Sequence, residues 1–165
     1  MKKISTVILA AGKSTRFKHK DSKIFQDLAG LSIIDHVYKI AKRISDKDVI
    51  FVCNNNNVLL LKKKFPNAKF VIQKSQKGTA DAIICAKQYI KHNSVLILFG
   101  DVPLISINTI KKLSKNYFKN GSIGTMAAFN AENPYGYGRV KLKNKKVLSV
   151  VEEINTNALE KEIKL

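Results

Sequence analysis

The amino-acid sequence predicts an α/β domain with a mostly parallel sheet flanked by helices. Short apolar runs rich in β-branched residues alternate with segments of helical periodicity along most of the chain. The strand-like runs are apolar at almost every position, as expected of strands that are buried on both faces. Glycine-containing polar segments follow several of these runs, and ligands of such sheets bind outside the carboxyl ends of the strands.

The first two-thirds of the chain contain the alternating elements. Strands are predicted at residues 4–10, 49–53, 70–72 and 95–99, and helices at residues 33–44, 57–65, 79–91 and 106–118. Pro66 would end the second helix because proline cannot continue one. Thr79 would cap the third helix, and Ser106 or Asn108 would cap the fourth.

The pattern changes in the last third of the chain. It predicts a strand at residues 123–129, a turn-rich stretch at 130–138, two short strands near 139–142 and 147–151, and the start of a helix within 158–165. A length of 165 residues suits one domain but not two full ones. We therefore expect a single domain over residues 1–165.

The chain is strongly basic. It carries 30 Lys and Arg against 12 Asp and Glu, a formal net charge of +18, which suggests an anionic partner. Only Arg16, Arg43 and Arg139 are arginines, whereas nucleic-acid binders favour arginine and often add aromatic side chains. The lysines are scattered, and a composition rich in Lys, Ile and Asn is also what an AT-biased coding sequence produces. The composition therefore argues against a nucleic-acid partner and favours a biased, solvated surface.

The sequence also indicates a compartment. No stretch approaches the ~20 apolar residues of a membrane span, so no membrane partner is expected. The start of the chain faintly resembles a signal peptide, but its apolar run continues into Gly12 and Lys13, which favours a buried strand with a functional loop. Cys53 and Cys85 lie in apolar runs without a CxxC motif or a nearby histidine, which indicates buried thiols in a reducing compartment rather than a disulfide framework. We expect a cytoplasmic protein whose oligomeric state the sequence leaves open.

The segment after the first strand carries the first functional pattern. Small residues let a ligand approach the backbone, and exposed N–H groups can hold phosphate oxygens. The backbone candidates are Leu9, Ala10, Ala11 and Gly12, and the cations that follow are Lys13, Arg16 and Lys23. The spacing matches neither the Walker A motif nor GxGxxG. It indicates a phosphate-binding loop, with a tight turn and chance lysines as the alternative.

Two further segments follow the ends of predicted strands. In one, glutamine amides suit a base edge, and the N-terminus of a helix suits a phosphate or a ring carbonyl. Its candidate residues are Gln73, Gln76, Gly78 and Thr79. In the other, Asp101 follows the end of a predicted strand and could bind Mg²⁺. One such carboxylate can be enough, because Mg²⁺ that is held mainly by substrate phosphates needs only one or two protein carboxylates. The alternatives are a polar loop with a helix cap and an aspartate that caps a turn.

A fourth segment lies in the turn-rich part of the chain. Gly136 and Gly138 flank a tyrosine, which marks a tight turn where another molecule can lie against the backbone. Further along, Glu152 is suited to accept hydrogen bonds from sugar hydroxyls. The alternative is a hairpin turn with a solvated acidic pair, Glu152 and Glu153.

Together and in this order, the four segments resemble the sugar-nucleotide pyrophosphorylases, most of all the uridyltransferase domain of bifunctional N-acetylglucosamine-1-phosphate uridyltransferases. That family has a LAAGxGTRM loop with a following lysine, then QxxQxGT, YGDVPL, PxGYGRI and VEHKDA segments. Here these segments correspond to residues 9–17 with Lys23, 73–79, 99–104, 134–140 and 151 onwards. The resemblance covers essentially the whole chain and implies the Rossmann-like nucleotide-diphospho-sugar transferase fold.

The resemblance also implies a reaction. UMP would pass from UTP to N-acetylglucosamine 1-phosphate, giving pyrophosphate and UDP-N-acetylglucosamine, a cell wall precursor. Catalysis of such a displacement is mostly positioning and charge neutralisation. The implied roles are phosphate stabilisation by Arg16, Lys23 and Lys13; nucleotide binding by residues 9–12 with Gln73, Gln76, Gly78 and Thr79; Mg²⁺ binding by Asp101; and amino-sugar binding by Gly138 and Glu152.

The sequence departs from the family pattern in several places. Ser14 replaces a loop glycine, Ser22 a proline and Phe99 a tyrosine. The family's transferase domain continues well past Leu165 to a second metal-binding residue, and the acetyltransferase β-helix domain is absent. We therefore expect a domain that is incomplete at its C-terminus, and the sequence leaves open whether its turnover is weak or lost. The alternatives are a degenerate, non-catalytic module that binds nucleotide or a partner chain, and a nucleotidyltransferase of the same fold that uses another nucleoside triphosphate.

Overall fold

The computed structural model describes residues 3–12, 22–75, 78–119 and 121–165. The chain forms two compact units, residues 1–110 and 111–165. The strands are β1 (Ser5–Leu9), β2 (Asp27–Leu28), β3 (Leu31–Ser32), β4 (Val49–Cys53), β5 (Lys69–Ile72), β6 (Val95–Phe99), β7 (Arg139–Lys143) and β8 (Lys146–Val151). The helices are α1 (Ile33–Ser45), α2 (Val58–Lys64), α3 (Thr79–Ala86), α4 (Ile107–Lys119) and α5 (Ala158–Lys161). The single domain expected from the sequence stays a prediction.

A four-stranded parallel sheet in the order β5-β4-β1-β6 forms the centre of the first unit. Strand β4 is buried at every position, and Val7 and Ile8 of β1 are fully buried as well. Burial on both faces explains why these runs are apolar throughout rather than alternating. The predicted α/β class, with a parallel sheet flanked by helices, is confirmed.

The predicted strands and helices of this unit are all present. Most differ by one residue at their ends, but the helix predicted at 79–91 is shorter, since α3 ends at Ala86 and a 3₁₀ turn follows at Lys87–Tyr89. Helix α1 begins where Asp35 accepts hydrogen bonds from the backbone N–H and the hydroxyl of Ser32, at 2.9 and 2.6 Å. Ser106 caps α4 as predicted, since its Oγ accepts from the N–H of Thr109 at 3.0 Å. The cap predicted at Thr79 is wrong because Thr79 is the first residue of α3 and Gly78 is its N-cap.

A short hairpin, β2–β3, was not predicted. Its turn holds Ala29 and Gly30 at φ values of 54° and 80°, the combination of a type I′ turn. The N–H of Gly30 donates to Oδ1 of Asp27 at 3.2 Å and closes the turn. Alanine seldom adopts a positive φ, so the residue pattern gives little indication of this turn.

Polar side chains gather at the amino ends of the same parallel strands. Asp48 accepts hydrogen bonds from Ser5 Oγ and from Lys69 Nζ, the latter at 2.7 Å. Burial alone would raise the pKa of Asp48, but the hydrogen bonds from Lys69 and Ser5 and the nearby charges hold the pKa below its usual value. This network satisfies the buried polar start of β1 and lies at the opposite ends of the strands from the candidate site.

The second unit contains the antiparallel hairpin β7–β8, close to where two short strands are predicted. Asn144 and Lys145 turn the hairpin with φ values of 52° and 62°. The strand predicted at residues 123–129 is wrong, because these described residues form no ladder and their side chains are exposed. An extended run becomes a strand only when a neighbour pairs with its backbone, and residue patterns do not reveal that neighbour.

Both cysteines are free thiols. Cys53 is buried as predicted, whereas Cys85 is only half-buried. Burial raises the pKa of Cys53 to about 12, so this thiol is inert at neutral pH. Across the described ranges, no helix is long and apolar enough to span a bilayer. The cytoplasmic location stays a prediction.

Candidate active site

The parallel sheet brings three of the predicted segments to one edge of the first unit. Residues 10–12 follow β1, residues 73–75 follow β5, and residues 100–101 follow β6. Residues 54–57, four consecutive asparagines, follow β4 at the same edge. Since the carboxyl ends of parallel strands point the same way, these loops form one continuous rim.

The backbone of the loop after β1 is tied to both neighbouring strands. The N–H of Ala10 donates to the carbonyl of Val52, and the N–H of Gly100 donates to the carbonyl of Leu9, both at 2.8 Å. A Cβ on Gly100 would lie 2.9 Å from the Leu9 oxygen and 3.1 Å from Cδ1 of Ile34. Only glycine therefore fits where β6 comes this close to the end of β1.

Two asparagine side chains hold the next two carbonyls of this loop. Asn57 Nδ2 donates to the oxygen of Ala10 at 2.7 Å, and Asn54 Nδ2 donates to the oxygen of Ala11 at 3.1 Å. A Cβ on Gly12 would meet none of the described atoms within 4 Å. The loop is thus anchored on the asparagine side, and none of the described residues crowds Gly12.

Lys23 and Asp101, far apart in the sequence, meet at this rim. Lys23 Nζ lies 3.4 Å from Oδ2 of Asp101, and the two side chains are 44% and 48% exposed. An ion pair this exposed contributes little to stability, so both groups remain accessible to a ligand. Because Asp101 follows Gly100, the pair stands next to the backbone of Leu9.

The predicted base-binding segment is organised by Gln73. Its side chain is buried, and Nε2 donates to Oδ2 of Asp81 at 2.7 Å and to the carbonyl of Gly78 at 3.3 Å. Gly78 has a φ of 110°, which favours glycine, and both Gly78 and Thr79 are exposed. The amide of Gln73 therefore shapes the loop at the start of α3, and its contact with a base stays a prediction.

Three of the candidate residues lie outside the described residues. They are Lys13 and Arg16, which follow the β1 loop, and Gln76 of the base-binding segment. Their roles stay predictions.

In the second unit, the two predicted sugar-binding residues lie together. A Cβ on Gly138 would come within 3.2 Å of Cγ1 of Val150 and 3.8 Å of Oε2 of Glu152. The glycine therefore sits against the end of β8, beside the Glu152 carboxylate. A side chain at this position would crowd Val150, so glycine allows the turn to pack this closely beside the carboxylate.

A buried ion pair supports the same turn. Arg139, 2% exposed, donates from NH1 to Glu153 Oε2 at 2.9 Å and to the carbonyl of Tyr137. The N–H of Gly136 donates to the same Glu153 oxygen at 3.0 Å. The hydrogen bond from Gly136 and the Arg139 guanidinium hold the pKa of Glu153 below its usual value. Glu153 is thus a structural partner of the glycine-rich turn and not a solvated carboxylate.

Whether a divalent metal fits this site depends on the side chains that could bind it. The described residues contain no group of three or more His, Cys, Asp or Glu side chains that could hold a metal ion. Asp101 offers a half-exposed carboxylate at the rim, beside Lys23. Mg²⁺ commonly uses one or two protein carboxylates and takes its other ligands from phosphates and water. Asp101 therefore fits a metal that arrives with a phosphorylated substrate.

Sequence reasoning missed four residues that organise these loops. Asn54 and Asn57 were overlooked because asparagines after a strand also mark ordinary turns. Arg139 and Glu153 stand beside predicted residues but were assigned no structural role. A run of four asparagines at the carboxyl end of a buried strand was the signal available for the first pair.

Comparison with known proteins identifies the family. Residues 6–158 match the model of the MobA-like NTP transferase domain. The chain belongs to this family. Bifunctional protein GlmU of Buchnera aphidicola subsp. Schizaphis graminum is 43% identical over 165 residues, which cover 99% of this chain and 35% of that protein. GlmU of Caldicellulosiruptor saccharolyticus is 36% identical over 168 residues, covering 99% of this chain and 36% of that protein.

A solved structure agrees in fold. The structure described as CMP:2-keto-3-deoxy-manno-octonic acid synthetase complexed with CTP superposes with a TM-score of 0.68 at 18% identity, covering 98% of this chain and 69% of that one. At this identity the likeness concerns the fold alone. The predicted nucleotide-diphospho-sugar transferase fold and the resemblance to the GlmU group are confirmed, and the domain is a nucleotidyltransferase by family. The chain spans 35% of the GlmU protein that it matches at 43% identity, so substrates are a matter of proposal.

Proposed function

We propose that this domain binds UTP with Mg²⁺ at the carboxyl edge of its sheet and transfers UMP to N-acetylglucosamine 1-phosphate. One observation carries the proposal: a backbone loop, a cation and a carboxylate converge there. The N–H of Gly100 contacts the oxygen of Leu9 at 2.8 Å, and the next residue, Asp101, lies 3.4 Å from Lys23 Nζ. Phosphoryl transfer needs such groups: a backbone loop binds the phosphates, a cation neutralises their charge, and a carboxylate holds a metal.

The proposed reaction is an in-line displacement. A phosphate oxygen of the sugar 1-phosphate forms a bond to the α-phosphorus of UTP. The bond from this phosphorus to the oxygen that bridges to the β-phosphate breaks, and pyrophosphate leaves with the electron pair. Lys23, with Arg16 and Lys13, would neutralise the charge that develops on the phosphates. Asp101 would hold Mg²⁺, which supplies further neutralisation when bound.

The choice of base and sugar rests on the relatives and on the motifs. The GlmU proteins compared above share 36% and 43% of residues with nearly the whole chain. In this proposal Gln73, Gln76, Gly78 and Thr79 contact uracil together with residues 9–12. Gly138 and the adjacent Glu152 carboxylate would receive the amino sugar, since a carboxylate accepts hydrogen bonds from hydroxyl and amide groups.

Pyrophosphate release tests the proposal. The purified domain is incubated with MgCl₂, UTP and a panel of sugar 1-phosphates, and with CTP or GTP in place of UTP. We expect release with UTP and N-acetylglucosamine 1-phosphate. Asp101→Asn should lower this rate by about 10²-fold or more, because charge stabilisation by a metal contributes several kcal/mol.

Asp46→Asn is the matched control for that variant. Asp46 is exposed at the end of α1, and asparagine keeps the size and shape of its side chain while removing the charge. It should leave the rate unchanged. Equal rates for the wild type and Asp101→Asn would refute the catalytic role of the carboxylate, and release with GTP but not UTP would refute the choice of base.

A second candidate is a module that binds nucleotide without turnover. The observation behind it is the 3.4 Å pairing of Asp101 with Lys23, because a metal ion that binds Asp101 would compete with Lys23 for one carboxylate oxygen. Thermal-shift titration with UTP, UDP-N-acetylglucosamine, CTP and GTP separates the candidates. Stabilisation by a nucleotide without pyrophosphate release would support the second candidate, and no stabilisation by any nucleotide would contradict both.

A further inference from the structure

We propose that Asn54 and Asn57 are positioning residues that fix the direction of the peptide groups in the loop after β1, residues 10–12. The inference rests on the proposed function, because it concerns how that loop meets the nucleotide. Both asparagines lie in the turn after β4, outside the segments that the sequence singled out. Their role follows from how each side-chain amide is held at both of its ends.

The oxygen of each amide is fixed within its own turn. Asn54 Oδ1 accepts hydrogen bonds from the N–H groups of Asn56 and Asn57, both at 3.0 Å. Asn57 Oδ1 accepts a hydrogen bond from the N–H of Asn54 at 3.1 Å. These contacts fix the rotamers of both side chains and direct each NH₂ group away from the turn.

The nitrogen of each amide reaches the loop after β1. Asn57 Nδ2 donates to the Ala10 carbonyl at 2.7 Å, and Asn54 Nδ2 donates to the Ala11 carbonyl at 3.1 Å. Asn57 is only 2% exposed, so water cannot replace its bond without opening the structure. Two consecutive carbonyls of the loop are therefore held toward the asparagine turn.

Holding the carbonyls also sets the direction of the N–H groups. In a planar trans peptide, the N–H of a residue points opposite to the carbonyl of the residue before it. The Ala11 carbonyl faces Asn54, so the N–H of Gly12 is directed to the other side of the loop. Glycine tolerates either orientation of this peptide, and without the asparagine the carbonyl is able to turn toward the ligand. A carbonyl oxygen in that place would repel a phosphate.

The side-chain chemistry makes the idea testable with substitutions of equal size. Aspartate has the shape of asparagine but no N–H donor, so it would place a carboxylate oxygen against a carbonyl oxygen. Asn57→Asp and Asn54→Asp should therefore favour turning of the Ala10–Ala11 and Ala11–Gly12 peptides respectively. Asn55→Asp makes the same charge change in the same turn, at an exposed residue.

The first measurement is calorimetric titration of UTP with MgCl₂ into the wild type and the three variants, at a temperature where each protein is folded. We expect Asn54→Asp and Asn57→Asp to weaken binding by about tenfold or more, the effect of losing a hydrogen bond worth on the order of 1.4 kcal/mol. Asn55→Asp should stay within about twofold of the wild type. Asn54 is half-buried, so Asn54→Asp carries the test if Asn57→Asp does not fold.

The second measurement needs no nucleotide. The amide signal of Gly12 in nitrogen-15 NMR spectra should shift in Asn54→Asp and remain in place in Asn55→Asp. If the asparagines had only a structural role, their substitutions would lower the melting temperature and leave both the Gly12 signal and the UTP affinity unchanged.

The outcomes separate the inference from the proposed function. UTP binding by Asn54→Asp and Asn57→Asp as tight as that of Asn55→Asp would overturn the positioning role and leave the nucleotide site standing. An equal loss in all three variants would overturn it as well, because only the added charge would then matter. A wild type that binds no UTP would overturn the proposed function, and the inference with it.

Discussion

Gly100 lies where the ends of β1 and β6 come close together, so a substitution there should destabilise the fold. Gly100→Ala would place a Cβ 2.9 Å from the Leu9 oxygen and 3.1 Å from the side chain of Ile34. Since the first neighbour is backbone, relief requires the end of β1 to move. We expect a loss of about 1–3 kcal/mol in the free energy of unfolding, measured by urea titration.

Gly124→Ala is the control for that substitution. A Cβ on Gly124 would meet none of the described atoms within 4 Å, and its φ lies outside the region reserved for glycine. Both variants reduce the entropy of the unfolded chain equally, so their difference isolates the steric term. Equal midpoints for the two variants would contradict the tight contact at the end of β1.

Single residues show how far the sequence predicts the candidate site. Lys23 and Asp101 lie within the predicted segments, and the structure brings their side chains together. Gly138 and Glu152 are likewise adjacent. Gln73 is different, because its amide donates to Asp81 and to the carbonyl of Gly78. The motif predicts contact with a base and does not reveal that this side chain forms hydrogen bonds with its own loop.

At the scale of elements, the hairpin β7–β8 depends on the ion pair of Arg139 with Glu153. The pKa of Glu153 is lowered in the folded state, from an unfolded value of 4.5. A lowered pKa gives a stabilisation that is present above the unfolded pKa and lost as the pH falls through the folded pKa. Glu153→Gln should therefore destabilise the domain at pH 7, and the difference from wild type should shrink below pH 4.5.

The measurement is thermal unfolding of both proteins from pH 7 down to pH 3. Glu162→Gln, at an exposed position close to α5, is the control for loss of one negative charge. A wild-type advantage that stays constant across this range would show that Glu153 does not act through its charge.

The elements also show what residue patterns predict and what they miss. The parallel sheet was predictable because continuous apolar runs such as Val49–Cys53 are characteristic of strands buried on both faces. The β2–β3 hairpin was not, since its turn holds Ala29 at a φ of 54°. The run at 123–129 looks like a strand, but pairing depends on contacts between distant residues and not on local composition.

At the scale of the whole molecule, the formal charge of +18 needs no nucleic-acid partner to explain it. The proposed reaction uses three of these cations, Lys13, Arg16 and Lys23. We expect the remaining positive charge to attract anionic ligands without choosing among them, because such steering is long-ranged and weakened by salt. In the proposed function, specificity comes from the loops at the rim of the sheet.

The central claim, transfer of a nucleotidyl group, is tested most directly by following labelled phosphorus. The domain is incubated with MgCl₂, N-acetylglucosamine 1-phosphate and UTP labelled at either the α- or the γ-phosphate. We predict that the α-label appears in UDP-N-acetylglucosamine and the γ-label in pyrophosphate. Appearance of the γ-label as orthophosphate, or no movement of either label, would contradict nucleotidyl transfer by this domain.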